Sequence, residues 1–483
     1  MEAFWCEEST MGLQIGGEIE KVDGNQLSYN EFAEKYLAKN FPVVLTGLMD
    51  DWIACKNWVT EDGRPNLKFF STHFAESTVQ VADCGTREFT DQKRIEMTVA
   101  QFIDQWVNQN GAGGSSTVGS GQSVLYLKDW HFVKEYPDYV PYKTLLFFCD
   151  DWLNLYLDHY RMHNDPDTYR ESNEISCSDY RFVYMGAKGS WTPFHADVFR
   201  SYSWSANVCG RKKWFFLSPS QSHLAFDRNL KNTVYNILDE VDEEKYPEFK
   251  KGVWLACTQE QDEIIFVPSG WYHQVHNLED TISINHNWFN GHNLSWVFDL
   301  LLRDYKEAQE YIEDIRDISD DFEGLCQRNL AANTGMNFVD FSIFLLRLFL
   351  ANLTQVFHRY TDSKTSSVSS SSQLTQHFTF NLSAIRRIVV KVEESMDGLA
   401  GYPGFSINLK DTLEDPEFLK LCIDVGKTYG MIHDQPSRSS YEHEAFIDEI
   451  LDYGSHIVST KVFVKFIDFF CHKFGLIVQK AEF

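Results

Sequence analysis

Two stretches carry residue types able to do chemistry: Trp191-Thr192-Pro193-Phe194-His195-Ala196-Asp197 and, further on, Val267-Pro268-Ser269-Gly270-Trp271-Tyr272-His273. Side chains alternate between the two faces of a strand. A strand through His195 and Asp197 therefore presents an imidazole and a carboxylate on one side. A second imidazole from a later strand would complete two histidines and one carboxylate. That set holds one face of a ferrous ion and leaves the opposite positions open for a co-substrate and dioxygen, as an oxygenase requires. Alone, His195-Ala196-Asp197 serves equally as a hydrogen-bonded pair inside a core, so its company decides.

Lys212 lies between the two candidate ligand segments, in Arg211-Lys212-Lys213-Trp214-Phe215-Phe216-Leu217. A lysine reaching into a barrel is costly unless it meets a carboxylate. The distal carboxylate of 2-oxoglutarate is such a partner. Lys213 faces the other side by strand parity and is expected in solvent or a salt bridge. For the second imidazole the choices are His273 and His276, which alternation places on opposite faces of the strand after the Pro268-Ser269-Gly270 turn. One can be the ligand and the other is structural. His286 reads as a core histidine, and Trp204, Trp214 and Trp271 read as barrel packing.

The elements that position these groups follow from periodicity. Ser28 to Leu37 reads as a helix, with Ser28 as N-cap and Glu31 at the capping-box position. Pro42-Val43-Val44-Leu45-Thr46-Gly47 reads as a short buried strand ended by a turn glycine. Asn108 to Gln122 is rich in Gly and Ser and reads as a loop. From Leu125 to Trp288, short alternating apolar runs between turn residues are the pattern of an antiparallel β architecture. In Thr281 to Trp288, Ser283, Asn285 and Asn287 point one way and Ile282, Ile284 and Trp288 the other. A jelly-roll barrel with a polar mouth would line a site with such a strand. Beyond Trp288 the pattern turns helical, with Trp296, Leu300, Tyr305, Ile312 and Ile315 near helical spacing. Thr361 to Gln373 is Ser-rich and reads as a disordered loop.

The expected architecture is α+β. An N-terminal α/β region over 1–124, with the loop at 108–122, packs on a double-stranded β-helix (cupin or jelly-roll) barrel over 125–294. A mainly α-helical region over 295–483 follows, with the loop at 361–373. A chain of 483 residues is long for a single core.

Net charge narrows the partners. With 43 Lys+Arg against 70 Asp+Glu, the net charge of −27 repels phosphate backbones. Direct nucleic-acid binding is therefore not expected, and a basic partner is favoured. Ten cysteines without a Cys-x-x-Cys pair read as reduced thiols of an intracellular protein. The acidic start Met1-Glu2-Ala3-Phe4-Trp5-Cys6-Glu7-Glu8 has no signal-peptide pattern. The apolar run Phe341 to Phe357 carries Arg347 at its middle, so a buried helix is expected, not a membrane span. Cytoplasmic or nuclear residence is the expectation.

Thr192 to Asp197, the spacing to Lys212 and Trp214, and Val267 to His273 resemble the jumonji-C hydroxylases, iron(II)- and 2-oxoglutarate-dependent cupin-fold enzymes. Leu125-Tyr126-Leu127-Lys128-Asp129-Trp130-His131, Asp179 to Gly186, Ser201 to Trp214 and Val267 to Trp288 extend the likeness over roughly residues 25 to 300. The resemblance implies that His195, Asp197 and His273 are the iron ligands. It implies that Lys212 binds the distal carboxylate of 2-oxoglutarate, with Thr192 beside it. Asn285 stands where the family often has Thr or Ser contacting 2-oxoglutarate, and Tyr126 is a further candidate for the same carboxylate. The branch it resembles implies a protein lysyl hydroxylase acting on the eukaryotic translation release factor. The competing readings are a lysine demethylase of histones and a non-catalytic cupin scaffold. The helical region implies a possible homodimer.

Overall fold

The structure, a computed structural model, describes residues 12–111, 123–163, 179–365, 373–396, 406–436 and 443–476. The chain forms two compact units, Met1–Leu145 with Tyr180–Asn287, and Leu146–Asp179 with Trp288–Phe483. In the first unit fourteen strands are described in chain order: β1 (Gln14–Glu18), β2 (Lys21–Asp23), β3 (Val43–Thr46), β4 (Thr78–Glu88), β5 (Asp91–Thr98), β6 (Leu125–Trp130), β7 (Arg181–Gly186), β8 (Trp191–His195), β9 (Tyr202–Cys209), β10 (Lys212–Leu217), β11 (Val253–Gln259), β12 (Ile264–Val267), β13 (Tyr272–Asn277) and β14 (Thr281–Trp288). They form a five-stranded sheet, β1-β11-β10-β13-β8, and a nine-stranded sheet, β2-β3-β12-β9-β14-β7-β6-β4-β5. From β8 to β14 the chain passes repeatedly between the two sheets, the winding of a jelly roll.

Local sequence explains which strands lie inside. Ile264-Ile265-Phe266-Val267 is apolar throughout and is fully buried between β3 and β9. Trp214, Phe216 and Val275 of the small sheet pack with Val44, Ile265 and Val267 of the large one, filling one end of the space between the sheets. The alternate residues Phe215 and Leu217 face outward and are covered by Ala225, Val234, Ile237, Tyr246 and Phe249 of the 218–252 connection. The small sheet is thus buried on both faces, and its inner face is free to carry polar groups.

The capped helix at Ser28 is present: the Ser28 hydroxyl accepts from the Glu31 amide, and the Glu31 carboxylate accepts from the Ser28 amide. It runs over Tyr29–Phe32 and then widens into a π-helical turn, Ala33–Leu37. Residues 108–111 are the last turn of the helix Val99–Gly111, and 112–122 lie outside the described residues.

The second unit is built from helices, chiefly Leu294–Tyr311, Phe322–Thr334, Phe338–Thr365, Gln373–Met396, Pro416–Ile432, His443–Tyr453 and Thr460–Lys473. Helix Phe338–Thr365 extends through 361–365, and 366–372 lie outside the described residues. Its segment Phe338–Thr361 is long and apolar enough to cross a membrane, yet 78% of its most apolar window is buried inside the protein. Arg347, the charge in that run, donates to the Tyr156 hydroxyl at 2.8 Å and stacks 3.7 Å above the Tyr160 ring. Tyr156 sits on the short helix Trp152–Leu157, which belongs to this unit although it precedes β7 in sequence.

Candidate metal centre

β8 and β13 are antiparallel neighbours, and His195 and His273 are register partners on them. Their ring centroids are 4.4 Å apart. One ligand atom from each, together with an Asp197 oxygen, lie within 4.8 Å of one another. The register contains a bulge: β13 advances two residues from His273 to Val275 while β8 spans three, His195 to Thr192. A bulge re-aims side chains, and here it puts Thr192 and His195 on one face despite their odd spacing.

Asp197 reaches the pair differently from the expectation of simple alternation. β8 ends at His195, and Asp197 opens the tight turn Val198–Arg200. Phe199 and Arg200 both adopt positive φ there, 54° and 52°. Non-glycine residues in that region are strained, and such strain persists only where surroundings hold it. Arg200 is held by a 2.7 Å hydrogen bond to the Tyr272 hydroxyl, and its guanidinium sits 4.8 Å over that ring. The turn swings the carboxylate back toward the histidines, where the Ser203 hydroxyl donates to Asp197 Oδ2 at 2.7 Å.

Each imidazole is oriented by its own strand. His195 Nδ1 lies 2.8 Å from the Pro193 carbonyl oxygen, and His273 Nδ1 lies 3.1 Å from that of Trp271. A carbonyl only accepts, so both Nδ1 atoms carry the proton and both Nε2 lone pairs are free. Burial, reinforced by His273, pushes the His195 pKa down to about 4. The ring is therefore neutral at neutral pH, as a ligand must be. Two imidazoles and one carboxylate, with their orientation already enforced, fit a divalent iron.

Further along the inner face lies Lys212, 2% exposed, whose ammonium donates to Ser283 Oγ at 2.6 Å and to the Tyr126 hydroxyl at 3.4 Å. Among the described residues no carboxylate pairs with it, and burial pushes its pKa down to about 7. Asn285 Nδ2 donates to the same Ser283 Oγ at 3.2 Å. Gly186 lets β7 pass here, because a Cβ at that position would lie 2.3 Å from Ser190 Oγ and 2.6 Å from Tyr126 Cδ2. Lys212, Tyr126 and Asn285 thus converge around Ser283. Thr192 shares the inner face through its pairing with Val275, but its side chain makes no hydrogen bond to that group.

Comparison with known proteins agrees with this geometry. A cupin-like domain matches residues 29–293. The arginine-specific demethylase JMJ20 of Arabidopsis thaliana is 59% identical over 88% of this chain and 89% of its own length. The 2-oxoglutarate and iron-dependent oxygenase JMJD4 of Danio rerio is 42% identical over 68% of this chain and 74% of its own. Its Homo sapiens counterpart is 39% identical over 66% and 72%. The chain belongs to the cupin-like jumonji-C family.

Two further histidines of this jumonji-C barrel, His276 and His286, serve packing and hydrogen bonding instead. His276 lies on the outer face, stacked on Trp191 at an interplanar angle of 4°, and its Nε2 accepts from Gln274 Nε2 at 2.8 Å. His286 packs on Trp204 and shares a 2.5 Å hydrogen bond with Tyr142. Lys213, on the outer face, reaches Thr258 Oγ1 at 3.5 Å. Ser203 and Lys128 are inner-face residues that the motifs do not single out. Their signal was alternation: Ser201, Ser203, Ser205 and Asn207 interleave with Tyr202, Trp204, Ala206 and Val208, opposite the polar row of β14.

Proposed function

We propose that this jumonji-C protein is an iron(II)- and 2-oxoglutarate-dependent protein hydroxylase that acts on a lysine side chain, with the translation release factor as its substrate. The carrying observation is the meeting, on one inner face, of a preoriented His195–Asp197–His273 set and an uncompensated buried lysine at Lys212. In this reading the three ligands hold iron. The bound metal, with dioxygen, supplies the oxidising power for an unactivated C–H bond that side-chain acids and bases lack. Balanced overall, substrate, dioxygen and 2-oxoglutarate give hydroxylated substrate, succinate and carbon dioxide.

The chain's own residues bind, orient and shield. Lys212 receives the distal carboxylate, with Tyr126 and Ser283 as hydroxyl partners and Asn285 steadying Ser283. Trp214 and Phe216, each with its ring 5.6 Å from that of His273, keep water from one side of the site. Lysine as the target and the release factor as the partner are supported by the motif resemblance, and the cytosol as the compartment by the reading of the ten cysteines as reduced thiols. The net charge of −27 is compatible with a basic substrate region.

The name of the Arabidopsis relative favours a second reading, oxidative N-demethylation of methylarginine at the same centre. Mass spectrometry separates the two. Hydroxylation adds one oxygen to lysine and is retained, whereas demethylation removes a methyl group and releases formaldehyde. Both products must disappear in Asp197→Ala. Iron-loaded protein that turns over no 2-oxoglutarate with either substrate would sink both readings.

A further inference from the structure

Tyr272 and His273 are neighbours on β13, so their side chains leave the strand on opposite faces. His273 looks inward to the metal centre. Tyr272 enters the outer cluster, its ring centroid 5.3 Å from that of Phe194 and 5.7 Å from that of Phe226. The packed rings hold the phenol in place. Its oxygen accepts from the Arg200 guanidinium at 2.7 Å, and that guanidinium lies 4.8 Å over the ring. A carboxylate is the usual strong partner of a guanidinium. One stands in the same turn, at Asp197, yet among the described residues no carboxylate pairs with Arg200. Arg200 turns outward to Tyr272 and leaves Asp197 to the histidines.

Arg200 belongs to the crossing from β8 in the small sheet to β9 in the large one. The Arg200 amide closes the crossing on the Asp197 carbonyl at 3.1 Å, and the Ser201 amide on that of Val198 at 2.9 Å. Between these bonds φ is 54° at Phe199 and 52° at Arg200. Left-handed backbone is unfavourable for each of these bulky residues, so two in succession persist only where side-chain contacts hold them. Phe199 is 3% exposed and packs on Tyr180 at 5.4 Å, whereas Arg200 has Tyr272. Without its contact Arg200 relaxes to negative φ, and the rotation carries Asp197 away from His195 and His273. The Ser203 hydroxyl fixes one oxygen of the Asp197 carboxylate. The Arg200–Tyr272 contact fixes the backbone that delivers it.

We propose that Arg200 and Tyr272 are positioning residues of the metal centre. Their contact on the outer face keeps the turn after β8 left-handed, and the turn sets where the Asp197 carboxylate stands on the inner one. β13 thereby places two ligands at once, His273 directly and Asp197 through the neighbouring Tyr272. The inference rests on the metal-centre reading above.

Glycine separates the turn's conformation from the chemistry of the guanidinium, because it adopts positive φ without strain. Manganese(II) is titrated calorimetrically into the metal-free chain. Arg200→Ala loses the brace and keeps the strain, and is expected to weaken manganese(II) binding about tenfold. Arg200→Gly loses the same guanidinium and should recover most of that affinity. Tyr272→Phe removes a single oxygen atom, so it tests the contact even where Arg200→Ala folds poorly, and should weaken binding about threefold. The double variant Arg200→Ala/Tyr272→Phe should match Arg200→Ala alone, since both act through one contact. Wild-type affinity in Arg200→Ala and Tyr272→Phe would overturn the assignment. So would Arg200→Gly binding as weakly as Arg200→Ala, or additive losses in the double variant. Failure of the wild type to bind manganese(II) would instead remove the metal-centre reading, and this inference with it.

Discussion

His195 and His273 face each other across β8 and β13, and each gives its Nδ1 proton to a carbonyl two residues upstream in its own strand. The backbone thereby sets both tautomers before any metal arrives, and the two free Nε2 atoms point at a shared position with Asp197. The metal-free protein is expected to bind one iron(II) or manganese(II) per chain, measured by calorimetry. Asp197→Ala should lower that affinity at least about tenfold while leaving the melting temperature of the metal-free protein close to wild type. Saturating metal should raise the wild-type melting temperature by mass action. Equal rises in wild type and Asp197→Ala would refute the site.

Ser203 acts on the metal only through Asp197, whose Oδ2 accepts its hydroxyl at 2.7 Å. Ser203→Ala frees the carboxylate to rotate and should weaken metal binding by about tenfold. Ser203→Thr keeps a hydroxyl at the same reach and should restore most of it. A loss in both variants would mean that packing around β9, not the hydrogen bond, is what matters.

Lys212 links co-substrate binding to protons. Burial holds its pKa near about 7, so at pH 8 to 9 the empty pocket contains mostly the neutral amine. A carboxylate arriving beside it favours the ammonium, and 2-oxoglutarate binding should take up a proton in that range. Titration calorimetry in buffers of different ionisation enthalpy reads this directly, and the uptake should vanish in Lys212→Met. The same depressed pKa makes stability rise with pH between about 7 and the unfolded lysine value near 10.4, because there the unfolded chain binds the extra proton. Proton uptake that persists in Lys212→Met would place the titrating group elsewhere.

What was legible in the chain is what depends on neighbours in sequence. The Ser28–Glu31 capping box, the polar row Ser283-Asn285-Asn287 and the opposite facing of His273 and His276 are local patterns, and each has the structure its spacing implies. What alternation could not reveal depends on distant partners. The β8 bulge exists only against β13, and the turn that carries Asp197 is held by Arg200 on Tyr272. Residues 146–163 join the helical unit because Tyr156 finds the Phe338–Thr365 helix far along the chain.

His276 makes the barrel sensitive to acid through its outer face. Its Nε2 is occupied as an acceptor by Gln274, its ring lies flat on Trp191, and burial lowers its pKa to about 4. In the unfolded chain the ring titrates near 6.5. Between those values the unfolded state takes the proton first, so the contribution of His276 is complete above about pH 6.5 and is lost progressively as pH falls toward 4. His276→Gln removes that liability together with the stacking. At pH 8 the variant should be the less stable, by about 1 kcal/mol for the lost ring contact. On going to pH 5 it should lose less stability than the wild type, so that the urea midpoints of the two proteins converge. Parallel midpoints from pH 8 to pH 5 would show that His276 is already protonated, or already solvated, in the folded barrel.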